Sequence, residues 1–196
     1  CVAPNGSGTT GKARGVTGSG SPVGDPFDID YVAHEMGHQL GGPHTFNGDA
    51  GNCSGNRNSS TAMEPGSGSS IMAYAGICSP QNVQNNSDEN YHAISLQNIK
   101  SFLAAGGSNC DIPVAGYNNA PPNISAPTNN TTYNIPKSTP FALTMTATDP
   151  DANGILYGWD QMNNDIGTMP LLATNTLGPM FRFIEPTTNP TRYFPN

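Results

Sequence analysis

Charge is scarce in this chain, and positive charge scarcest. Only 11% of the 196 residues are charged, and 7 Lys and Arg face 14 Asp and Glu, for a formal net charge of −7. A surface of that sign repels phosphate, which excludes nucleic acid and an anionic membrane as partners. No apolar run approaches the length a helix needs to cross a bilayer. Long helices are few as well, because 23 Gly and 18 Pro punctuate the sequence. The four cysteines, Cys1, Cys53, Cys78 and Cys110, lack the C-x-x-C spacing of a zinc ribbon and admit three pairings. Two disulfides in an oxidising, extracellular compartment suit such a loop-rich, acidic chain better than reduced core thiols. Sequons at Asn5, Asn58 and Asn123 point the same way, weakly, in a chain so rich in Asn, Ser and Thr. Neither an initiator Met nor a signal-peptide pattern precedes Cys1, as expected of an internal piece of a longer precursor.

Against this sparse background one stretch stands out: His34-Glu35-Met36-Gly37-His38-Gln39-Leu40-Gly41-Gly42-Pro43-His44. On a helix, His34 and His38 lie one turn apart on the same face, where two imidazoles can share one Zn²⁺. Glu35 beside them is placed to reach a water at the metal. Leu40-Gly41-Gly42-Pro43 cannot continue a helix, and a sharp turn at Gly41 would bring His44 back as a third ligand. Three protein ligands leave the fourth tetrahedral position open, as in catalytic rather than structural zinc sites. A helix whose histidines merely face solvent would leave His44, the glycine and the later Ser69-Ser70-Ile71-Met72-Ala73-Tyr74 turn to coincidence.

Elsewhere the chain reads as loops, two helices and a β segment. Residues 1–24 form a Gly/Ser/Thr surface loop with two positive charges, Lys12 and Arg14. Asp25 as N-cap, Pro26 at the first helical position and Asp28 in the first turn start a helix to about Leu40. Its apolar stripe is Ile29, Val32, Ala33, Met36 and Leu40. Asp25, Asp28 and Asp30 serve the helix dipole rather than calcium. Residues 47–70 are a loop in which Asp49 and Glu64 read as solvated acids rather than calcium ligands. A second helix starts at Ser87-Asp88-Glu89, carries Tyr91, Ile94, Asn98, Ile99, Phe102 and Leu103, and ends at Gly106-Gly107. His92 near its start has no ligand spacing to any partner and reads as structural or surface.

Past residues 113–122, a linker, Phe141, Leu143, Met145 and Ala147 alternate with Thr144, Thr146 and Thr148 as in a half-buried strand. Asp149-Pro150-Asp151-Ala152-Asn153-Gly154 is a turn, and Ile155 to Trp159 a second strand. Calcium is a further candidate cation at Asp149 and Asp151, although one Asp-Pro-Asp turn is too short a ligand set and a plain turn is favoured. One more strand is expected within residues 160–196.

H-E-x-x-H-x-x-G-x-x-H with a later Met-turn is the metzincin signature, and at these residues the chain resembles the reprolysin-like branch of the metzincin proteases. Phe27-Asp28-Ile29-Asp30-Tyr31-Val32-Ala33 leading into His-Glu-Met-Gly-His is similar to secreted bacterial members. His44-Thr45-Phe46 is similar to pappalysins; reprolysins proper usually carry Asp where this chain has Thr45. The resemblance covers residues 1–110 or so. It implies an α+β fold in which residues 1–112 are the carboxyl-terminal metzincin subdomain: zinc helix, Met-turn, last helix and long loops. The T-x-T-D-P-D run resembles Ig- or cadherin-like modules, so residues 123–196 are expected as an all-β, sandwich-like module shorter than a complete one.

The function the resemblance implies is a secreted, zinc-dependent endopeptidase acting on proteins or peptides. His34, His38 and His44 would hold the metal and Glu35 would act as general base. Tyr74 lies two residues after Met72, the spacing at which astacins and serralysins place a tyrosine that ligates zinc or stabilises the oxyanion. Adamalysins lack it, and packing beneath the site is the other role open to it. The family's amino-terminal subdomain, which supplies the strand that substrate pairs with, is expected upstream in the precursor. The alternative is a truncated or autolytic fragment that acts only as a zinc-bearing adhesive or carbohydrate-binding module. By resemblance to reprolysins Cys1 pairs with Cys110, and by resemblance to pappalysins Cys53 pairs with Cys78.

Overall fold

A glycine with φ 74°, Gly24, followed by Asp25 and Pro26, sets the first helix in motion. In the computed structural model, which describes residues 16–107, 119–128, 131–167, 169–172 and 174–195, Gly24 stands at the cap and its carbonyl accepts from Phe27 and Asp28 N–H, both at 2.9 Å. Asp25, expected as the N-cap, is one residue further in, within the first turn, and makes no capping bond. Cys1, Cys110, their expected pairing, the Asn5 sequon and most of the 113–122 linker lie outside the described residues.

From there the chain runs as α1 (Asp25–Phe27), a π-helical turn (Asp28–Ala33) and α2 (His34–Gln39). The π turn holds more residues per turn than an α-helix, so the 3.6-residue period of the expected apolar stripe breaks at Ala33. None of Ile29, Val32, Ala33, Met36 and Leu40 is fully buried, and Met36 is 57% exposed. The buried positions of α2 are His34 and Gly37. Asp30 does not merely face the helix dipole: its carboxylate accepts the Ser87 backbone N–H at 2.6 Å, which ties the π turn to a distant loop.

That tie, with others, also explains why the last helix starts late. Ser87 N–H is engaged by Asp30, Asp88 N–H by the Ser69 carbonyl at 2.7 Å, and the Asn90 carbonyl by Ile71 N–H at 3.0 Å. These long-range bonds hold residues 87–90 out of a helix, so α3 is Ala93–Phe102 rather than starting at Ser87. His92 is its N-cap, 1% exposed, with Nδ1 accepting from Ile94 N–H at 3.2 Å; its part is structural. Ala93 N–H donates to the Asp160 carboxylate at 2.7 Å, an acid at the positive end of the helix dipole. A π turn, Leu103–Gly107, ends the helix through Gly106 at φ 103°.

Between α2 and α3 the backbone has little regular structure, yet much of it is buried. Phe46 and Glu64 form an isolated parallel bridge, Gly48 N–H donates to the Gly66 carbonyl, and Ser67 N–H donates to that of Gln81. Cys53 and Cys78 are disulfide-bonded with Cα atoms 5.2 Å apart, and both pack against Phe46 in the core. A bond closing this loop restricts the unfolded chain, by roughly 3 kcal/mol in the chain-entropy model.

Contacts divide the chain into two compact units, Cys1–Asp111 with Asp160–Phe183, and Ile112–Trp159 with Ile184–Asn196. Asp160–Phe183 packs with the first unit. Asn47 anchors it: its Nδ2 donates to the Ala62 carbonyl at 2.6 Å and the Asp165 carbonyl at 2.8 Å, and its Oδ1 accepts Gly167 N–H at 2.8 Å. Asn164 Nδ2 reaches the Ser59 carbonyl at 3.0 Å, and Phe183 is buried near His92.

In the second unit β1 (Asn123–Ala126) pairs antiparallel with β3 (Thr146–Thr148), and β2 (Phe141–Thr144) with β4 (Thr191–Phe194). The alternation read from the sequence holds from Phe141 to Thr148, although the strand breaks at Met145 and its halves find different partners. Phe141 stacks on Phe194, 4.8 Å between centroids. The strand expected at Ile155–Trp159 is reduced to one bridge, Tyr157 with Thr187. Asp149 Oδ1 accepts from Asp151 N–H at 2.8 Å, which makes this a side-chain-closed turn. Two helices of at least a turn and short antiparallel sheets make the chain α+β; the described strands form two two-stranded sheets.

No helix among the described residues is long and apolar enough to cross a membrane. Asn47→Ala removes three hydrogen bonds at once, one buried and two part-buried, and leaves two carbonyls and an N–H to find other partners. It should cost roughly 2–4 kcal/mol, read as a lower urea midpoint with unchanged slope. An unaltered midpoint would show that Asp160–Phe183 is not held through Asn47.

Candidate metal centre

How α2 ends decides where the third imidazole goes. Gly42 N–H donates to the Gly37 carbonyl at 2.9 Å and Gly41 N–H to that of His38 at 3.0 Å, with Gly41 at φ 84°. This is the Schellman pattern of a helix C-terminus, and it demands a left-handed residue where glycine stands. It also brings the chain against α3, since a Cβ on Gly41 would lie 2.9 Å from the Phe102 ring. The reversal carries His44 back to the face of α2 that bears His34 and His38. Ring centroids are 4.7 Å apart for His34–His38 and His38–His44, and 5.3 Å for His34–His44.

Each of the three rings is fixed through the same atom. Nδ1 of His34 bonds the Ile71 carbonyl, Nδ1 of His38 that of Gly42 and Nδ1 of His44 that of Asn56, each at 2.7 Å. A carbonyl only accepts, so each Nδ1 carries the proton and each neutral ring keeps its lone pair on Nε2. The three ligand atoms lie within 4.8 Å of one another. His38 Nε2 and His44 Nε2 are 3.0 Å apart, and two bare lone pairs at that distance repel unless a cation lies between them.

Two of the rings also take up a proton less readily than a free imidazole. Burial pushes His34 down to about 4, opposed by the Ile71 carbonyl and reinforced by His38 and His44. His44 is lowered too, chiefly by burial, against the Asn56 carbonyl and with His38. A metal fits the spacing: Zn–N bonds of 2.0–2.1 Å at tetrahedral angles put ligand nitrogens roughly 3.3 Å apart. Backbone acceptors on the far ring nitrogen are the usual outer support of histidine ligands.

Met72 is fully buried. Gly37 has no side chain because the Met72 sulfur occupies that space; a Cβ there would overlap it. Thr45 N–H donates to the Met72 carbonyl at 3.1 Å, which joins the segment after His44 to the Met-turn. The Tyr74 ring lies tilted against two of the imidazoles, its centroid 4.6 Å from that of His44 and 5.6 Å from that of His34. Its phenol is raised, first by burial and then by Glu35. Glu35, half-buried, lines a cleft of about 430 Å³ together with His34, Tyr74, Phe27, Tyr31 and Ile77. The structure thus brings His34, His38, His44, Glu35 and Tyr74 into one neighbourhood.

One acid read as solvated is not. Glu64 is 0% exposed and accepts four hydrogen bonds from the residues around the site, whereas Asp49 stays at the surface with Gln81. The Ile71, Gly42 and Asn56 carbonyls also escaped the sequence reading, because every residue type carries one. Only the buried run Thr61–Ala73 hints at Glu64, and burial of a polar, Gly-rich stretch is not written in its hydropathy.

Because the unfolded chain takes up protons at His34 near 6.5 and the fold only near 4, the metal-free fold loses stability as pH falls through that window. The full effect is roughly 3 kcal/mol. Chelator-treated protein should therefore melt at a lower temperature at pH 4.5 than at pH 7, with a shallower slope in His34→Asn. Equal slopes in the two proteins would remove His34 as the cause.

A model of the metallo-peptidase family M12B, reprolysin-like, matches residues 3–100. That span contains the histidine helix, the turn at Gly41, the Met-turn and most of α3, but none of Asp160–Phe183. Comparison with curated proteins and with solved structures returned no match. The match extends over half of the 196 residues and ends only after every residue of the three-histidine cluster, so this chain belongs to the M12B reprolysin-like metallopeptidases.

Proposed function

We propose that the chain is the zinc-bearing part of a secreted endopeptidase, with His34, His38 and His44 as ligands through Nε2, Glu35 as general base and Tyr74 as a hydrogen-bond donor. The observation that carries this reading is the triple Nδ1 anchoring, which leaves three convergent lone pairs and no use for them other than a cation. A zinc ion held there supplies Lewis acidity toward a water and a scissile carbonyl.

The chain's own groups do the rest. Glu35 opens onto the cleft beside His34, so its carboxylate takes a proton from the attacking water as the new C–O bond forms. The same carboxylate hands that proton to the leaving amine as the C–N bond breaks. Tyr74 keeps its proton because burial and Glu35 both oppose ionisation, and a phenol that stays protonated is available to donate to the developing oxyanion. The apolar walls of the cleft, Phe27, Tyr31 and Ile77, suit a peptide side chain. In the precursor, the upstream subdomain supplies the strand on which the peptide is laid out. The Cys53–Cys78 bond accords with an extracellular setting.

Elemental analysis of protein purified without chelator should find one zinc per chain, and zinc should leave as acid protonates the histidines. No bound metal would overturn the proposal. In the full precursor Glu35→Ala should retain zinc and lose on the order of 10²–10⁴ in the rate of casein hydrolysis. Retained activity would remove Glu35 as the base, and zinc without hydrolysis in the unaltered precursor would favour a zinc-bearing adhesive or carbohydrate-binding module. Tyr74→Phe should lower kcat on the order of 10² with KM little changed; an unchanged kcat would leave Tyr74 as packing.

A further inference from the structure

Glu64 takes no part in the chemistry above, yet it sits where the site is held together. Its Oε1 accepts from Thr45 Oγ1 at 2.6 Å and from Ser70 Oγ, and its Oε2 accepts the backbone N–H groups of Ser69 at 2.8 Å and Ser70 at 3.0 Å. Glu64, Thr45, Ser69 and Ser70 are all 0% exposed. Its backbone is pinned as well, with Glu64 N–H on the Thr45 carbonyl at 2.9 Å and Asn47 N–H on the Glu64 carbonyl at 2.8 Å.

The four donors belong to two segments, one next to a histidine and one next to a histidine's anchor. Thr45 follows His44 in the chain. Ser70 precedes Ile71, whose carbonyl holds His34 Nδ1. One carboxylate therefore spans from the neighbour of the third histidine to the anchor of the first. Mere filling of this space would be cheaper with an apolar side chain, because a buried carboxylate is costly unless its oxygens are satisfied. Here satisfaction requires all four donors to be in place, so the carboxylate fixes their positions relative to one another.

We propose that Glu64 is a positioning residue that sets the spacing of His34 and His44, with the Thr45 hydroxyl as its link to His44, and so tunes metal affinity and geometry at this centre. The inference rests on the metal reading given above. The threonine directly after the third histidine is thus backed by an acid from 19 residues further on.

The test compares wild type, Thr45→Val, Thr45→Ser and Glu64→Gln. Zinc affinity is measured by competition with a chromophoric chelator, ligand geometry by the visible spectrum of the cobalt(II)-substituted protein, and folding by circular dichroism of the metal-free forms. Thr45→Val should weaken zinc binding about tenfold and shift the cobalt bands; Glu64→Gln should weaken it by 10- to 100-fold. Thr45→Ser, which keeps the hydroxyl, should restore both readouts. If Glu64→Gln fails to fold, the Thr45 pair decides. Wild-type affinity and an unshifted cobalt spectrum in folded Thr45→Val would overturn the proposal, even with a lowered melting temperature, since a merely structural role predicts that result. Wild type that takes up neither metal would instead overturn the metal reading, and does so before any variant is compared.

Discussion

The structure depends on three hydrogen bonds of one kind, an imidazole Nδ1 on a backbone carbonyl at Ile71, Gly42 and Asn56. They fix the tautomer of each ring and turn three Nε2 lone pairs toward one point. Bringing like lone pairs to 3.0 Å is unfavourable in itself, and burial disfavours protons on His34 and His44. Three such rings, with their ligand atoms within 4.8 Å of one another, form a cluster that could hold a metal ion. Each carbonyl comes from a different part of the chain: the Met-turn, the helix terminus and the loop after His44. Holding those parts in place is the task of the rest of the first unit.

Two departures from regular α-helix do much of that work. The π turn at Asp28–Ala33 breaks the expected apolar stripe and leaves His34 and Gly37, rather than Met36, on the inner side. The Schellman turn at Gly41 then reverses the chain within three residues, short enough to leave little freedom in where His44 can lie. Both cost local regularity, and both are compensated by packing: Gly37 against the Met72 sulfur, Gly41 against Phe102.

The long segment between His44 and α3 shows a different economy. It has no helix beyond a short 3₁₀ turn at Gly51–Cys53 and few large apolar residues, yet Thr61–Ala73 is buried throughout. Its polar groups are satisfied by one another, by Glu64, by the Gln81 backbone and by the returning Asp160–Phe183. Serine, glycine and asparagine here form an interior whose cohesion is hydrogen bonding, closed at one end by Cys53–Cys78. Asp160–Phe183 lies beyond the family match but contributes to the same unit, so the compact body is larger than the matched residues.

The sequence by itself determined the clustering of His34, His38 and His44 and the turn at Gly41. Histidine spacing, Gly41 and Met72 carry their geometry in short-range backbone rules, and these act the same way wherever the chain is placed. The alternation from Phe141 to Thr148 was legible for the same reason. Only the tertiary structure decided the start of α3, the burial of Glu64, the carbonyls behind the histidines and the return of Asp160–Phe183 to the first unit. Each of these depends on a hydrogen bond between residues far apart in the chain, such as Asp30 with Ser87 or Asn47 with Gly167. A backbone carbonyl has no residue identity, and a glutamate looks alike in water and in a cage of four donors, so composition and periodicity do not register either.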